Sequence, residues 1–164
     1  MRALSLRQPW PWIIMHLGKR IENRTRNLGE YRGPLLLHSS SKMTSEDWWS
    51  AYEWVRERIG QAAADSIPKP TGKMQEGHPD LPMGVIFAST RVIGQFDARH
   101  EGVLLDYEVP ELPEQRRRWY MGSYAYVFGA VERTPLVCCS GALGFWRVPQ
   151  AIIEKVCYPE DREP

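Results

Sequence analysis

This chain has no apolar run near the roughly 18 residues that a membrane-spanning helix needs, and no membrane partner is expected. It also lacks the short motifs of nucleotide-hydrolysing, dinucleotide-binding or serine-hydrolase folds: there is no G-x-x-x-x-G-K-[ST] loop, no G-x-G-x-x-G turn and no G-x-S-x-G elbow. Cysteine is scarce. Cys138, Cys139 and Cys157 make an odd number, and adjacent cysteines rarely bridge to each other. The first residues lack the charged-then-apolar pattern of a secretory leader, so a reduced, cytoplasmic setting is expected. His16, His38, His78 and His100 share no ligand spacing with one another or with the cysteines, so neither a metal centre nor a cofactor is expected. Repeats and low-complexity tracts are missing too. At 164 residues and 43% hydrophobic content, the chain reads as one ordinary globular domain.

What the chain does have is an uneven distribution of charge. The first 42 residues hold eight Lys and Arg against two acids, Glu22 and Glu30, within a total of only +1. The acids gather later: Asp97, Glu101, Asp106, Glu108, Glu111 and Glu114 accompany a single arginine, Arg99. A second basic cluster follows at Arg116, Arg117 and Arg118. Positive charge gathered at one end of a nearly neutral protein points to an anionic partner, of which phosphate backbones are the commonest. Seven tryptophans add flat surfaces. Most belong to a core, but indole is also a platform for stacking bases.

The apolar pattern predicts a strand over residues 3–6, then a short helix to Leu17 with Gly18 as its left-handed cap. Residues 19–25 read as a second strand. Residues 28–33 read as a turn, and 34–39 as a third strand buried on both faces at Leu35, Leu36 and Leu37. Thr44 opens a long helix with Glu46 and Asp47 in its first turn, its apolar stripe running through Trp48, Tyr52, Val55 and Ile59. Residues 65–82 read as a mobile connection, a tolerated insertion ahead of a lid. A long strand follows over 83–96 with Gly94 as a bulge, then a short helix within 110–119. Two further strands, 124–131 and 136–139, flank a turn at 132–135. Residues 141–146 read as a glycine-punctuated loop delivering Phe145, Trp146 and Arg147, and a small helix over 149–156 closes the chain. Strands that do not alternate with helices suggest an α+β fold, a small barrel of five to seven strands with helices outside it.

With these residues in view, the chain resembles the ASCH family, named after activating signal cointegrator. The resemblance rests on L-S-x-x-Q-P-W at residues 4–10, G-K-R-x-E-x-R at 18–24 and Y-R-G-P at 31–34. It continues with G-x-x-x-x-x-x-x-V-I-G at 84–94 and G-x-x-G-F-W at 141–146. It implies a PUA-like pseudo-β-barrel of five to seven mixed strands, two to four surrounding helices and a cleft facing nucleic acid. A single domain over 1–158, with a tail at 159–164, is expected. The resemblance places Lys19, Glu22 and Arg24 in the cleft. Some similar bacterial proteins hydrolyse N4-acetylcytidine with a lysine, a threonine three residues on and a distant glutamate. Here Lys19 keeps the lysine but Glu22 replaces the threonine, and no glutamate can be matched to the third role. Nuclease activity is also associated with similar proteins.

The candidate nucleic-acid contacts are Gln8, Trp10, Lys19, Arg20, Arg24, His38, Lys42, Trp146 and Arg147; the candidate reacting pair is Lys19 with Glu22. Arg20, Glu22 and Arg24 alternate along a strand and so share a face. Glu22 can accept from the exocyclic amine of a base, and Arg24 can hold phosphate. Gln8 can read a base edge. Trp10 is either a stacking platform or a plug for the barrel end, and Trp146 beside Arg147 is either a stacking pair or core. The leading expectation is binding of RNA or single-stranded DNA. The alternatives are a hydrolase acting on a modified nucleoside or on RNA, and a protein adaptor using the acidic segment 97–114.

Overall fold

The computed structural model describes residues 1–70, 78–97, 103–105 and 109–157. Strand β1 (Arg2–Leu6) leads into helix α1 (Trp10–Leu17), β2 (Ile21–Arg24) and β3 (Gly33–Ser39). Helices α2 (Ser45–Arg58) and α3 (Gln61–Asp65) precede the long strand β4 (Val85–Phe96). Strand β5 (Val103–Leu105), helix α4 (Leu112–Trp119), β6 (Tyr124–Phe128), β7 (Glu132–Cys138), β8 (Phe145–Arg147) and helix α5 (Gln150–Cys157) complete the order. The α+β class is as expected. The described residues hold eight strands and five helices, more than the five to seven and two to four that the sequence suggested.

All eight strands belong to one mixed sheet, with β1 and β3 parallel and every other pair antiparallel. Its spine is β4. Val92 pairs with both Gly33 and Phe128, so β3 and β6 lie on opposite edges of β4. The ladder runs β2-β6-β4-β3-β1-β8, and its two ends do not pair, so the sheet is not closed into a barrel. The register slips between Val92 and Gly94, close to the expected bulge.

Several local details differ from the sequence reading. Lys19 and Arg20 precede β2, because Gly18 caps α1 at φ 66° and the chain needs two residues to turn into the strand. Residues 132–135 are not a turn but the start of β7, which among the described residues pairs with β4 alone and, as an edge strand, tolerates Pro135. Phe145, Trp146 and Arg147 form β8 rather than a loop, because they pair with β1. In the supposed insertion, Ile67 and Leu81 are buried in the main core and Trp48 Nε1 donates to the Pro68 carbonyl at 2.8 Å, so both flanks are integral to the fold. Residues 71–77, most of the acidic segment's charges, His100 and the 159–164 tail lie outside the described residues.

Strand β3 is buried on both faces, as its apolar run predicts. Leu35 and Leu37 join Leu4, Leu6, Phe87 and Phe128 on one side, while Leu36 joins Ile86, Val137 and Val156 on the other. Each such side chain contributes about 1.5–3 kcal/mol. A further cluster packs Ile13 of α1, Trp48, Ala51 and Val55 of α2, and Trp119 of α4 around Ile93 and Phe96. Among the described residues, no helix is long and apolar enough to cross a membrane.

Helix α2 starts with a reciprocal cap. Thr44 Oγ1 accepts from the Asp47 N–H at 3.1 Å, and the Asp47 carboxylate accepts from the Thr44 N–H at 2.8 Å. The same carboxylate takes Arg7 at 3.1 Å. Thr44→Ala is expected to lower stability to urea by about 1 kcal/mol, with Thr44→Ser near wild type. An unchanged Thr44→Ala midpoint would show that the cap contributes nothing.

Candidate nucleic-acid interface

The sequence brings a carboxylate and three cations together in residues 19–24, and the fold decides which of them meet. Glu22 and Arg24, two apart on β2, do share a face. Glu22 Oε2 accepts from Lys19 Nζ at 2.8 Å, and Glu22 Oε1 lies 3.3 Å from Arg24 Nη2. Arg24 Nη2 also donates to the Ser5 carbonyl at 2.9 Å. Strand β8 pairs with β1 only as far as Leu4, which leaves that carbonyl to the guanidinium. The contact therefore ties β2 to β1 across the opening of the sheet.

Lys19 is only 2% exposed, with its ammonium enclosed between Glu22 and the Trp10 ring, 5.2 Å from the ring centre. Burial lowers its pKa from the ordinary lysine value, and the attraction of Glu22 only partly offsets this. Glu22 is 8% exposed and reaches a cleft of about 540 Å³ that Lys19 does not line. This volume lies within the range of small-molecule sites. Around the Glu22 and Arg24 floor stand Trp10, His38, Lys42 and Arg7, with Ser40, Ser41, Asp47 and the 141–143 segment completing the rim. Leu143 on that rim is 87% exposed.

One wall is held by a chain of hydrogen bonds. The Cys139 carbonyl can only accept, so His38 Nε2–H donates to it at 3.1 Å and leaves Nδ1 as the acceptor. Ser5 Oγ donates to Nδ1 at 3.1 Å and accepts from Trp146 Nε1–H at 3.1 Å. Burial lowers the His38 pKa below 6.5, and the Cys139 carbonyl only partly offsets it. Gly141 packs directly on this chain. A Cβ there would stand 2.5 Å from the His38 ring and 2.6 Å from Ser5 Oγ, so no side chain fits without displacing the wall.

The expected contacts thus divide. Trp10, Glu22, Arg24, His38 and Lys42 line one cleft. Lys19 and Trp146 stand behind it, acting through Glu22 and through Ser5 with His38. Three residues are elsewhere. Arg20 turns away because its Nε donates to the Phe128 and Gly129 carbonyls at 3.2 Å. Gln8 faces a different cleft. Arg147 sits opposite Arg2 at the far end of β8, exposed. The second basic cluster does not line the cleft either; Arg117 and Arg118 pair with Glu114 on α4. Ser5, Arg7 and Asp47 are lining residues that the candidate set omits. The signal for Ser5 was a polar residue between two buried leucines of a strand, which turns it to the opposite face. For the exposed Leu143 the sequence carries no such signal.

The lowered His38 pKa has a pH consequence. Between the native value and the 6.5 of a free histidine the unfolded chain binds more protons, so stability rises with pH through that window and falls on acidification. Comparing urea midpoints from pH 7 down to 5, His38→Gln is expected to flatten the fall. An equal slope in wild type and variant would mean that His38 does not couple to folding.

Set against known proteins, the chain matches no family model and no curated protein.

Proposed function

We propose that this protein is a nucleic-acid-binding domain of the ASCH type, PUA-like in fold, that takes one nucleotide of an RNA or a single DNA strand into the cleft between β1 and β2. The observation that carries the reading is the pairing of two complementary groups at the cleft floor. Glu22 offers carboxylate lone pairs beyond those used by Lys19 and Arg24, while Arg24 Nε–H is buried and has no hydrogen-bond partner among the described residues. An acceptor beside a donor matches the edge of a nucleobase, which presents an amine next to a ring nitrogen or carbonyl. Trp10 offers its ring to the base, and Lys42 and Arg7 stand where a phosphate passes. Three cations against two carboxylates line the cleft, with the Lys19 ammonium just behind.

Binding of a labelled mixed-sequence RNA decamer, followed by fluorescence anisotropy, is expected to weaken steeply with salt. Lys42→Ala should reduce the slope of log K against log salt by about 0.7, the value for one lost single-strand phosphate contact. Trp10→Ala should cost about 1–3 kcal/mol with the slope unchanged. Absent or salt-independent binding would refute the proposal.

A hydrolytic reading is favoured by one observation, the buried Lys19 whose pKa is lowered while it holds Glu22. In that reading Glu22, the member of the pair that reaches the cleft, orients a water. The water oxygen adds to the acetyl carbon of N4-acetylcytidine, the C–N bond breaks, and the amine takes a proton as acetate leaves. Chromatography is then expected to show cytidine release that Glu22→Ala abolishes. No turnover, or turnover surviving Glu22→Ala, would remove this reading.

A further inference from the structure

A second cleft of about 520 Å³ opens on the other side of the segment at residues 7–12, the turn after β1 and the start of α1. Arg7 and Trp10 line the first cleft, whereas Gln8, Pro11 and Trp12 line this one, and the two share no lining residue. Its apolar side is formed by the Trp12 ring, Met15, Phe87, Pro82 and a Leu136 side chain that is 59% exposed.

Two polar atoms of the lining residues have no hydrogen-bond partner among the described residues. Gln8 is 1% exposed, and its Nε2 donates to the Pro82 carbonyl at 2.9 Å. That bond fixes the orientation of the amide and leaves Oε1 buried and unpaired. Thr134 Oγ1, on β7, is likewise buried and unpaired. Such atoms are uncommon in folded proteins, and each calls for a cause. A third feature is a cation held in position. Arg133, exposed, donates from Nη2 to His16 Nε2 at 3.2 Å. The His16 ring stacks on Trp12 with centres 4.4 Å apart, and its Nδ1–H donates to the Trp12 carbonyl at 2.9 Å. Asp80, the carboxylate among the lining residues, has a side chain that is 69% exposed to solvent, and its backbone N–H donates to His78 Nδ1 at 3.1 Å.

An unpaired acceptor and an unpaired hydroxyl on lining residues, flat apolar side chains and a positioned guanidinium together define a ligand. We propose that this cleft binds a small planar aromatic anion carrying an N–H donor. Its ring lies against Trp12 and Leu136, its N–H meets Gln8 Oε1, and its negative group meets Arg133. The inference does not depend on nucleic-acid binding.

The test titrates isotope-labelled protein with three probes by NMR. These are indole-3-acetate, naphthalene-1-acetate, which keeps ring and carboxylate but has no N–H, and indole, which has no carboxylate. Indole-3-acetate is expected to shift the Gln8 side-chain amide, the Thr134 backbone amide and the Trp12 indole resonance. Each of the other two should bind about fivefold more weakly or worse, the loss expected for one hydrogen bond or ion pair. Leu136→Ala and Arg133→Gln, both at exposed positions, should each weaken indole-3-acetate by about fivefold, and the near-isosteric Thr134→Val by about threefold. RNA affinity in Arg133→Gln should equal wild type. No shift at millimolar indole-3-acetate, shifts confined to other residues, or equal affinity for all three probes would overturn the proposal.

Discussion

A single carboxylate, Glu22, holds the candidate site together. Its two oxygens engage Lys19 and Arg24, and through Arg24 it reaches the backbone of β1. With Lys19 only 2% exposed, the ammonium depends on this partner and on the Trp10 ring. Loss of one partner from a buried pair costs about 3–5 kcal/mol, because the remaining charge stays in a poorly solvating environment. A pair of this kind contributes little net stability over an apolar replacement. What it does supply is position: a carboxylate fixed at the bottom of a cleft, with lone pairs still free.

The cleft exists because the sheet does not close. Strands β2 and β8 are the ends of the ladder and do not pair; on that side the Arg24 guanidinium reaches the Ser5 carbonyl and the Tyr126 ring packs on Phe145. Around the gap, structural and surface roles fall on the same side chains. Asp47 caps α2 and also steadies Arg7; hydrogen bonds from Thr44 and Arg7 outweigh the effect of its burial and keep its pKa below the usual carboxylate value. His38, next to last in β3, connects β1, β3 and β8 through Ser5 and Trp146. Gly141 is required by contact distance, since the wall leaves no room for a Cβ.

The segment at residues 7–12, the turn after β1 and the start of α1, divides the surface into two regions of different chemistry. Arg7 and Trp10 line a cleft with several charges on one side, while Gln8, Pro11 and Trp12 line one with more apolar side chains on the other. A basic stretch in the sequence therefore does not become one basic surface. Arg20 is consumed by backbone carbonyls, Arg147 lies at the far end of β8, and only Arg7, Arg24 and Lys42 of the amino-terminal cations reach the first cleft.

Much of the secondary structure was legible locally. Gly18 as a cap, Thr44 as a helix start, the doubly buried β3 and the long β4 follow from backbone preferences and apolar periodicity, which act over a few residues. The strand character of residues 132–135 and 145–147 was not, because each pairs with a strand distant in the chain. The same division holds at the site. Strand alternation by itself determined that Glu22 and Arg24 face one way and that Ser5 turns from its leucine neighbours. Only the tertiary structure decided that Lys19 is enclosed, that Arg20 and Gln8 point elsewhere, and that Asp47, Leu143 and Gly141 arrive at the same rim. The reason is physical: local sequence sets the direction of a side chain relative to its own strand or helix, whereas burial and pairing depend on which remote segments the closing core brings against it.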